Sequence, residues 1–211
     1  MDAEPTAEAA RAGTPADDAE TDLVERARNG DLNAFNSLVL RHQDAVFSLA
    51  LRFLGNREAA EDAAQEAFIR AHRAIASFRG ERFRSWLFSI VANAARDELR
   101  RLKRRPQLSL DNDDLPPIDP PDAGPSPESE ALRTDLRRAL EAALLELPED
   151  WRLTVILSDV QGLTNAEVAE ATDVAIGTVK SRLSRARGRL RDILRASGEL
   201  DDAPRRQGVE G

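Results

Sequence analysis

Seven cations fall within residues 177–195: Lys180, Arg182, Arg185, Arg187, Arg189, Arg191 and Arg195, against the single acid Asp192. Guanidinium and ammonium groups at this density match phosphates and the edges of bases, so the chemistry they suggest is nucleic-acid recognition. Wound at the helical period, Val179, Leu183, Ala186, Leu190, Ile193 and Leu194 turn inward. Ser181, Ser184, Arg185, Gly188 and Arg191 then point outward, with Lys180, Arg182, Arg187 and Arg189 on the flanks. A second cationic cluster, Arg96, Arg100, Arg101, Lys103, Arg104 and Arg105, closes another amphipathic stretch. Cations there complement the helix dipole, but six within ten residues exceed that need and point to phosphate contact.

Covalent and metal chemistry find no comparable candidate. The chain has no Cys, which removes disulfides, thiolate nucleophiles and cysteine zinc sites. His42 and His72 are its two imidazoles, one short of a three-histidine zinc site, although carboxylate-bound magnesium is not excluded by counting. There is no Gly-rich phosphate loop, no HExxH and no Ser/His/Asp arrangement, and the neighbouring carboxylates Glu61 and Asp62 fall on an exposed helix face. The expectation is a protein that is not an enzyme and needs no cofactor.

The elements that must carry these residues are helical. Abundant Ala, Leu, Arg and Glu favour helix, and nine aromatics with no Tyr are poor material for a β-sandwich. Phe35, Leu38, Val39, Val46, Leu49, Ala50 and Phe53 predict a helix over 31–54, entered at Asp31 and stopped at Gly55. His42 lies on that stripe and is expected at the edge of the core. Asn56 caps a second helix whose inner side is Ala60, Ala64, Ala67, Phe68, Ala71, Ile75 and Phe78. Its outer side holds Glu58, Asp62, Gln65, Glu66, Ile69 and Arg73, where the apolar Ile69 makes a partner surface plausible. After a connection over 79–85, a third helix is expected to bury Trp86, Leu87, Ile90, Val91, Ala94, Ala95, Leu99 and Leu102, with Trp86 inside and Phe88 toward the boundary. A further helix carries Leu132, Leu136, Leu140, Ala143, Leu144 and Leu147 up to Pro148, and another runs to Val160 before Gly162. In LTNAEVAEATD, Thr164 and Glu167 form a capping box, and Leu163 with Val168 a hydrophobic staple. A break near Asp173 to Ala175 then leads into the basic helix, which is helix-turn-helix logic.

Charge divides the 211 residues. The net charge is −8, yet residues 1–22 carry −6, residues 23–105 carry +6, and residues 133–198 carry +1. Residues 106–132 hold seven acids, no base and seven of the eleven prolines. The expected organisation is therefore a disordered acidic tail (1–22), a helical domain (23–105), a flexible acidic linker (106–132), a helix-turn-helix domain (133–196) and a second disordered tail (197–211). This makes an all-α chain of two small helical domains. Its acidic balance does not argue against nucleic acid, because the charge of the docking face decides. No run of 18 apolar residues exists and the N-terminus is acidic, so the protein is expected in the cytoplasm with no membrane insertion.

Over 23–105 and 133–195 the sequence resembles the bacterial RNA polymerase sigma factors of the extracytoplasmic-function class. GDLNAFNSLV, DAAQEAFIRAHRAIASFRG and SWLFSIVANAARDELRR are similar to that family's region 2. LPEDWR, GLTNAEVAEA and GTVKSRLSRARGRL are similar to its region 4, with Thr172, Asp173 and Ala175 where relatives often have a turn Gly and then Ser or Pro.

The resemblance implies core RNA polymerase, promoter DNA and an anti-sigma factor as partners. Asp62, Gln65, Glu66, Ile69 and Arg73 match the helix that grips the β′ coiled coil, and region 4 implies contact with the β flap. Phe78, Arg79 and Gly80, with the loop to Ser85, match the segment that captures a base flipped from the −10 element. Asn93 matches the lining of that site, and Arg96, Arg100 and Arg101 extend the −10 surface along the same helix. Lys180, Ser181, Ser184 and Arg185 match readers of the −35 element; Thr178, Arg182 and Arg187 match its phosphate contacts. The linker's acids suit it to lie in a cationic polymerase channel as a nucleic-acid mimic, beside its plainer role as a tether. The alternative is a free-standing helix-turn-helix regulator that binds duplex DNA without polymerase.

Overall fold

A computed structural model describes residues 15–80, 82–104 and 127–198. The expectations for residues 1–14, for Arg105, for the linker over 106–126 and for the tail beyond Gly198 lie outside the described residues. Eight α-helices, and no strand, occur among the described residues: α1 (Pro15–Arg28), α2 (Leu32–Leu54), α3 (Arg57–Ala74), α4 (Phe83–Arg104), α5 (Pro127–Leu145), α6 (Glu149–Val155), α7 (Asn165–Thr172) and α8 (Ile176–Ala196).

Local chemistry sets most of the boundaries. Asp31 caps α2 by accepting from Asn33 N at 2.9 Å and Ala34 N at 3.1 Å, and Arg26 holds the same carboxylate at 2.8 Å. Gly55 ends α2 in the left-handed region, at φ 70°, and donates its N–H to Leu51 O. Asn56 caps α3 through Ala59 N. Six alanines of α3 (Ala59, Ala60, Ala63, Ala64, Ala67 and Ala71) are buried, small enough for α2 and α4 to approach closely.

Four expectations are corrected. Residues 15–22, expected in the disordered tail, belong to α1, which begins on a proline suited to a first helical turn. This helix buries Val24 and Ala27, and its Glu20 meets the buried His42 at 3.1 Å. Residues 127–132, expected in the linker, are the first turns of α5. On α4 the register is rotated: Phe88 is completely buried and Trp86 only half-buried. That helix packs against α2, α3 and α7 at once, so its buried arc is wider than one stripe and takes in Phe88 and Ala92. Phe83 to Ser85, expected in the connection, form its first turn.

In the second half, α5, α6 and α7 pack around α8, whose Val179, Leu183, Ala186, Leu190 and Leu194 are buried as expected, Ile193 lying half-buried beside them. The helix after α6 widens over Ile156–Val160, where Gln161 N–H reaches back five residues to Ile156 O. The capping box of α7 is complete: Thr164 Oγ1 accepts from Glu167 N, and the Glu167 carboxylate accepts from Thr164 N at 2.8 Å. The turn into α8 places Asp173 at φ 54°, ψ 49°.

Candidate polymerase and promoter interfaces

The outer face of α3 is built around a shallow groove lined by Leu32, Phe35, Asn36, Gln65, Phe68, Ile69, His72 and Arg73. It joins three of the five residues expected at a polymerase contact, Gln65, Ile69 and Arg73. Ile69 is 38% exposed and Leu32 62%, so the groove offers apolar surface to solvent. Asp62 and Glu66 stand beside it, engaged with other partners. Asp62 accepts from Arg101 at 3.0 Å, and Glu66 takes Arg70, which also reaches Asp97 at 2.9 Å. Leu32 was not anticipated; its signal was an apolar residue off the stripe of its own helix.

A second hollow, of about 470 Å³, opens where α3 gives way to α4. The α-helix stops at Ala74, a tight turn spans Ile75–Ser77, and Phe78 follows in extended backbone rather than on the helical stripe. Ser77, Phe78, Arg79, Gly80, Arg82 and Trp86 line it, joined by Glu170 of α7. The floor is aromatic: Phe78 and Trp86 have ring centroids 4.9 Å apart, and Phe83 packs on both. A Cβ on Gly80 would stand 2.8 Å from the Phe78 ring, so glycine lets the backbone lie against it. Arg79 folds back to donate to Ala76 O and Phe78 O, which fixes the loop. An aromatic floor with cationic walls can stack and hold an unpaired base. Phe78, Arg79 and Gly80 are thus brought together. Arg82 and Trp86 join them, legible only as neighbours in sequence.

Farther along α4, Asn93 is exposed and three expected DNA contacts are ion-paired. Arg96 is half-buried 3.8 Å from Asp150, and its burial lowers its pKa. Arg100 pairs with Asp97, and Arg101 with Glu98 and Asp62.

On α8 the split is sharper. Lys180, Ser181, Ser184 and Arg185 are exposed on one face, and Lys180 and Arg185 have no ion pair among the described residues. Thr178 is half-buried one turn before Arg182. The flanking Arg182 is held by Asp150 at 2.6 Å and Arg187 by Asp159 at 2.6 and 2.9 Å. Arg187 pulls the Asp159 carboxyl below the usual carboxylate range by hydrogen bonding to it. No cluster of His, Cys, Asp or Glu able to hold a metal occurs among the described residues.

A helical bundle with an apolar partner groove and an aromatic hollow, followed by a helix-turn-helix, defines a DNA-binding protein built for two surfaces. Sigma-70 region 2 matches residues 38–105 and sigma-70 region 4 matches residues 137–190. The RNA polymerase sigma-H factor of Pseudomonas aeruginosa is 37% identical over 170 residues, covering 78% of this chain and 88% of the relative. The ECF RNA polymerase sigma-E factor of Escherichia coli K12 is 40% identical over 171 residues, with the same coverage of 78% and 88%. Among solved structures, CnrH in complex with the cytosolic domain of CnrY aligns at a TM-score of 0.63, with 27% identity over 84% of this chain and 98% of that one. The sigma factor RpoE of Bartonella quintana, in complex with the anti-sigma factor NepR, aligns at 0.61, with 29% identity over 78% and 98%. The chain belongs to the sigma-70 family of RNA polymerase sigma factors, in its extracytoplasmic-function class.

Proposed function

We propose that the protein binds core RNA polymerase in the cytoplasm, recognises the −35 and −10 elements of a promoter, and starts transcription without catalysing a reaction itself. The observation that carries this is the joint presence of the α3 groove, the aromatic hollow and the α7–α8 reader in one chain. Gln65, Ile69 and Arg73 form the centre of the β′ coiled-coil contact, with Asp62 and Glu66 at its rim, and the second half meets the β flap. Strand opening draws on binding energy: extruding a base costs a few kcal/mol, and stacking returns roughly 1–3 kcal/mol per base. Phe78 and Trp86 supply the stacking surface, Arg79, Arg82 and the Gly80 backbone edge surround it, and Asn93, Arg96, Arg100 and Arg101 follow the strand along α4. Lys180, Ser181, Ser184 and Arg185 read the −35 bases, while Thr178, Arg182 and Arg187 hold phosphates. An anti-sigma factor is a further partner, as for the similar sigma factor RpoE, solved with the anti-sigma factor NepR bound.

Run-off transcription from a promoter template tests the reading. Product is expected only when the protein and core polymerase are combined, and Ile69→Glu is expected to remove both core co-purification and product while helical circular dichroism stays normal. Tight duplex binding with no core-dependent product would instead mark a free-standing regulator.

A further inference from the structure

The acids that meet α8 are not spread evenly over its cations. Arg187 donates through Nε and Nη2 to both carboxylate oxygens of Asp159, at 2.9 and 2.6 Å, and Arg182 donates to Asp150 at 2.6 Å. Lys180 and Arg185 have no ion pair among the described residues. The acids thus sit on the two arginines expected at phosphates and on neither cation expected at bases. Their placement depends on the widened helix. Asp150 and Asp159 are nine residues apart, and in an unbroken α-helix, at about 100° per residue, they would point to opposite sides. The wide turn over Ile156–Val160 takes up one extra residue and rotates Asp159 by about 100°, so both acids meet the same neighbour, α8. Hydrogen bonding to Arg187 holds the Asp159 carboxyl below the usual carboxylate range, so it is charged at neutral pH. The two-point contact also fixes the guanidinium. No protein acceptor takes Nη1 of Arg187 among the described residues, which leaves that amino group for a phosphate in one direction.

We infer that Asp159 is a positioning residue that sets specificity for the −35 element: it neutralises Arg187 toward phosphates in general and aims it at one phosphate of the correct site. The inference rests on the promoter-binding reading above, in which Arg187 meets the DNA backbone. Sequence-independent binding draws on mobile cations that can follow any phosphate. A guanidinium already bonded to a carboxylate adds little net charge to that attraction. Its fixed direction serves the one register in which Lys180 and Arg185 meet their bases. Asp159 touches no base and acts only through Arg187. Asp150 does the same for Arg182, but it also lies 3.8 Å from Arg96, so Asp159 is the cleaner place for a test.

A duplex that wild-type holoenzyme enriches from a random-sequence pool supplies the specific probe, and the same duplex with its upstream bases scrambled supplies the non-specific one. Closed-complex affinity for each is measured by fluorescence anisotropy over a series of KCl concentrations, with core polymerase common to every variant. For Asp159→Asn, the plot of log affinity against log salt on the scrambled duplex should steepen by about 0.9, the mark of one more phosphate neutralised. Affinity for that duplex at low salt should rise about five-fold and that for the selected duplex stay within about two-fold, so preference between them falls at least about two-fold. Asp159→Glu keeps the charge and should keep the wild-type slope. Arg187→Gln combined with Asp159→Asn removes both charges and should also return it. The pair lies at the surface, and co-purification with core checks that each variant is folded. An unchanged slope for Asp159→Asn on the scrambled duplex, or an equal gain on both duplexes, overturns the inference. A pool from which the protein and core polymerase together enrich nothing overturns the promoter reading instead.

Discussion

Phe88 and Trp86 divide the labour of one turn of α4. Phe88 is fully enclosed with the Arg84 guanidinium over its ring, whereas Trp86 lies half-exposed on Phe78 and faces the hollow. Phe88→Ala is therefore expected to cost about 3–5 kcal/mol of stability. Trp86→Ala should cost about 1–2 kcal/mol because less area leaves the core, but should lower open-complex formation strongly. Urea denaturation and permanganate footprinting of the promoter would separate the two. A second residue-scale expectation concerns Glu20, whose carboxyl is held below its ordinary pKa chiefly by the hydrogen bond to His42. Because its folded pKa is depressed, its contribution is fully present above the unfolded value of about 4.3 and is lost as pH falls through the folded value. The difference in Tm between wild type and Glu20→Gln should shrink as pH falls below about 4, measured by thermal melts.

At the scale of elements, the turn between α7 and α8 shows a local substitution carrying a backbone requirement. Asp173 takes a left-handed conformation that favours glycine, and Asp tolerates it better than most residues. Asp173→Gly is expected to lie within about 0.5 kcal/mol of wild type, whereas Asp173→Val should destabilise by about 1–2 kcal/mol and weaken −35 binding by tilting α8. Chemical denaturation and promoter gel shifts check both. The same contrast explains what could be read in advance. Asp31, Asn56, Gly55 and the Thr164–Glu167 box mark helix ends through atoms a few residues apart, so their types and spacing were sufficient. The inward face of α8 was legible because one neighbouring bundle buries it. The face of α4 was not, because α7 packs on it from far along the chain in addition to α2 and α3, and the wider buried arc takes in Phe88, which a single helical stripe leaves at the edge. The start of α1 was hidden by acidic composition, since nothing in DDAETD shows that Glu20 will find His42 and Arg41 on α2. Of the candidate sites, the groove centre came from the helical pattern, and the loop at Phe78–Gly80 from the family resemblance, the pattern alone having put Phe78 on an inner stripe. Leu32, Arg82 and Trp86 needed the fold to join them.

For the molecule as a whole, the energetics depend on whether its halves behave as independent units or as one. A chain of beads on a string would show additive effects for substitutions in different halves, since distant sites without shared partners add closely. The contact between Gly55 and Leu145 predicts otherwise. A methyl group on Gly55 would stand 2.8 Å from both Leu145 Cδ atoms, while the left-handed backbone there adds its own strain whatever the neighbour. Gly55→Ala thus carries two penalties in wild type and one in a Leu145→Ala background, where the space is vacant. Leu145→Ala in turn loses packing, and part of that loss is refilled when Ala occupies position 55. The double-mutant cycle on the full chain should give a coupling of about 0.5 kcal/mol or more in the favourable direction, from calorimetry or urea titration. The cycle is best run at low ionic strength, where Arg52–Glu141 and the ties through Asp150 are least screened. Additivity within error would mean that the halves unfold without sensing each other. A clear coupling would place Gly55 and Leu145, 90 residues apart in sequence, in one cooperative unit.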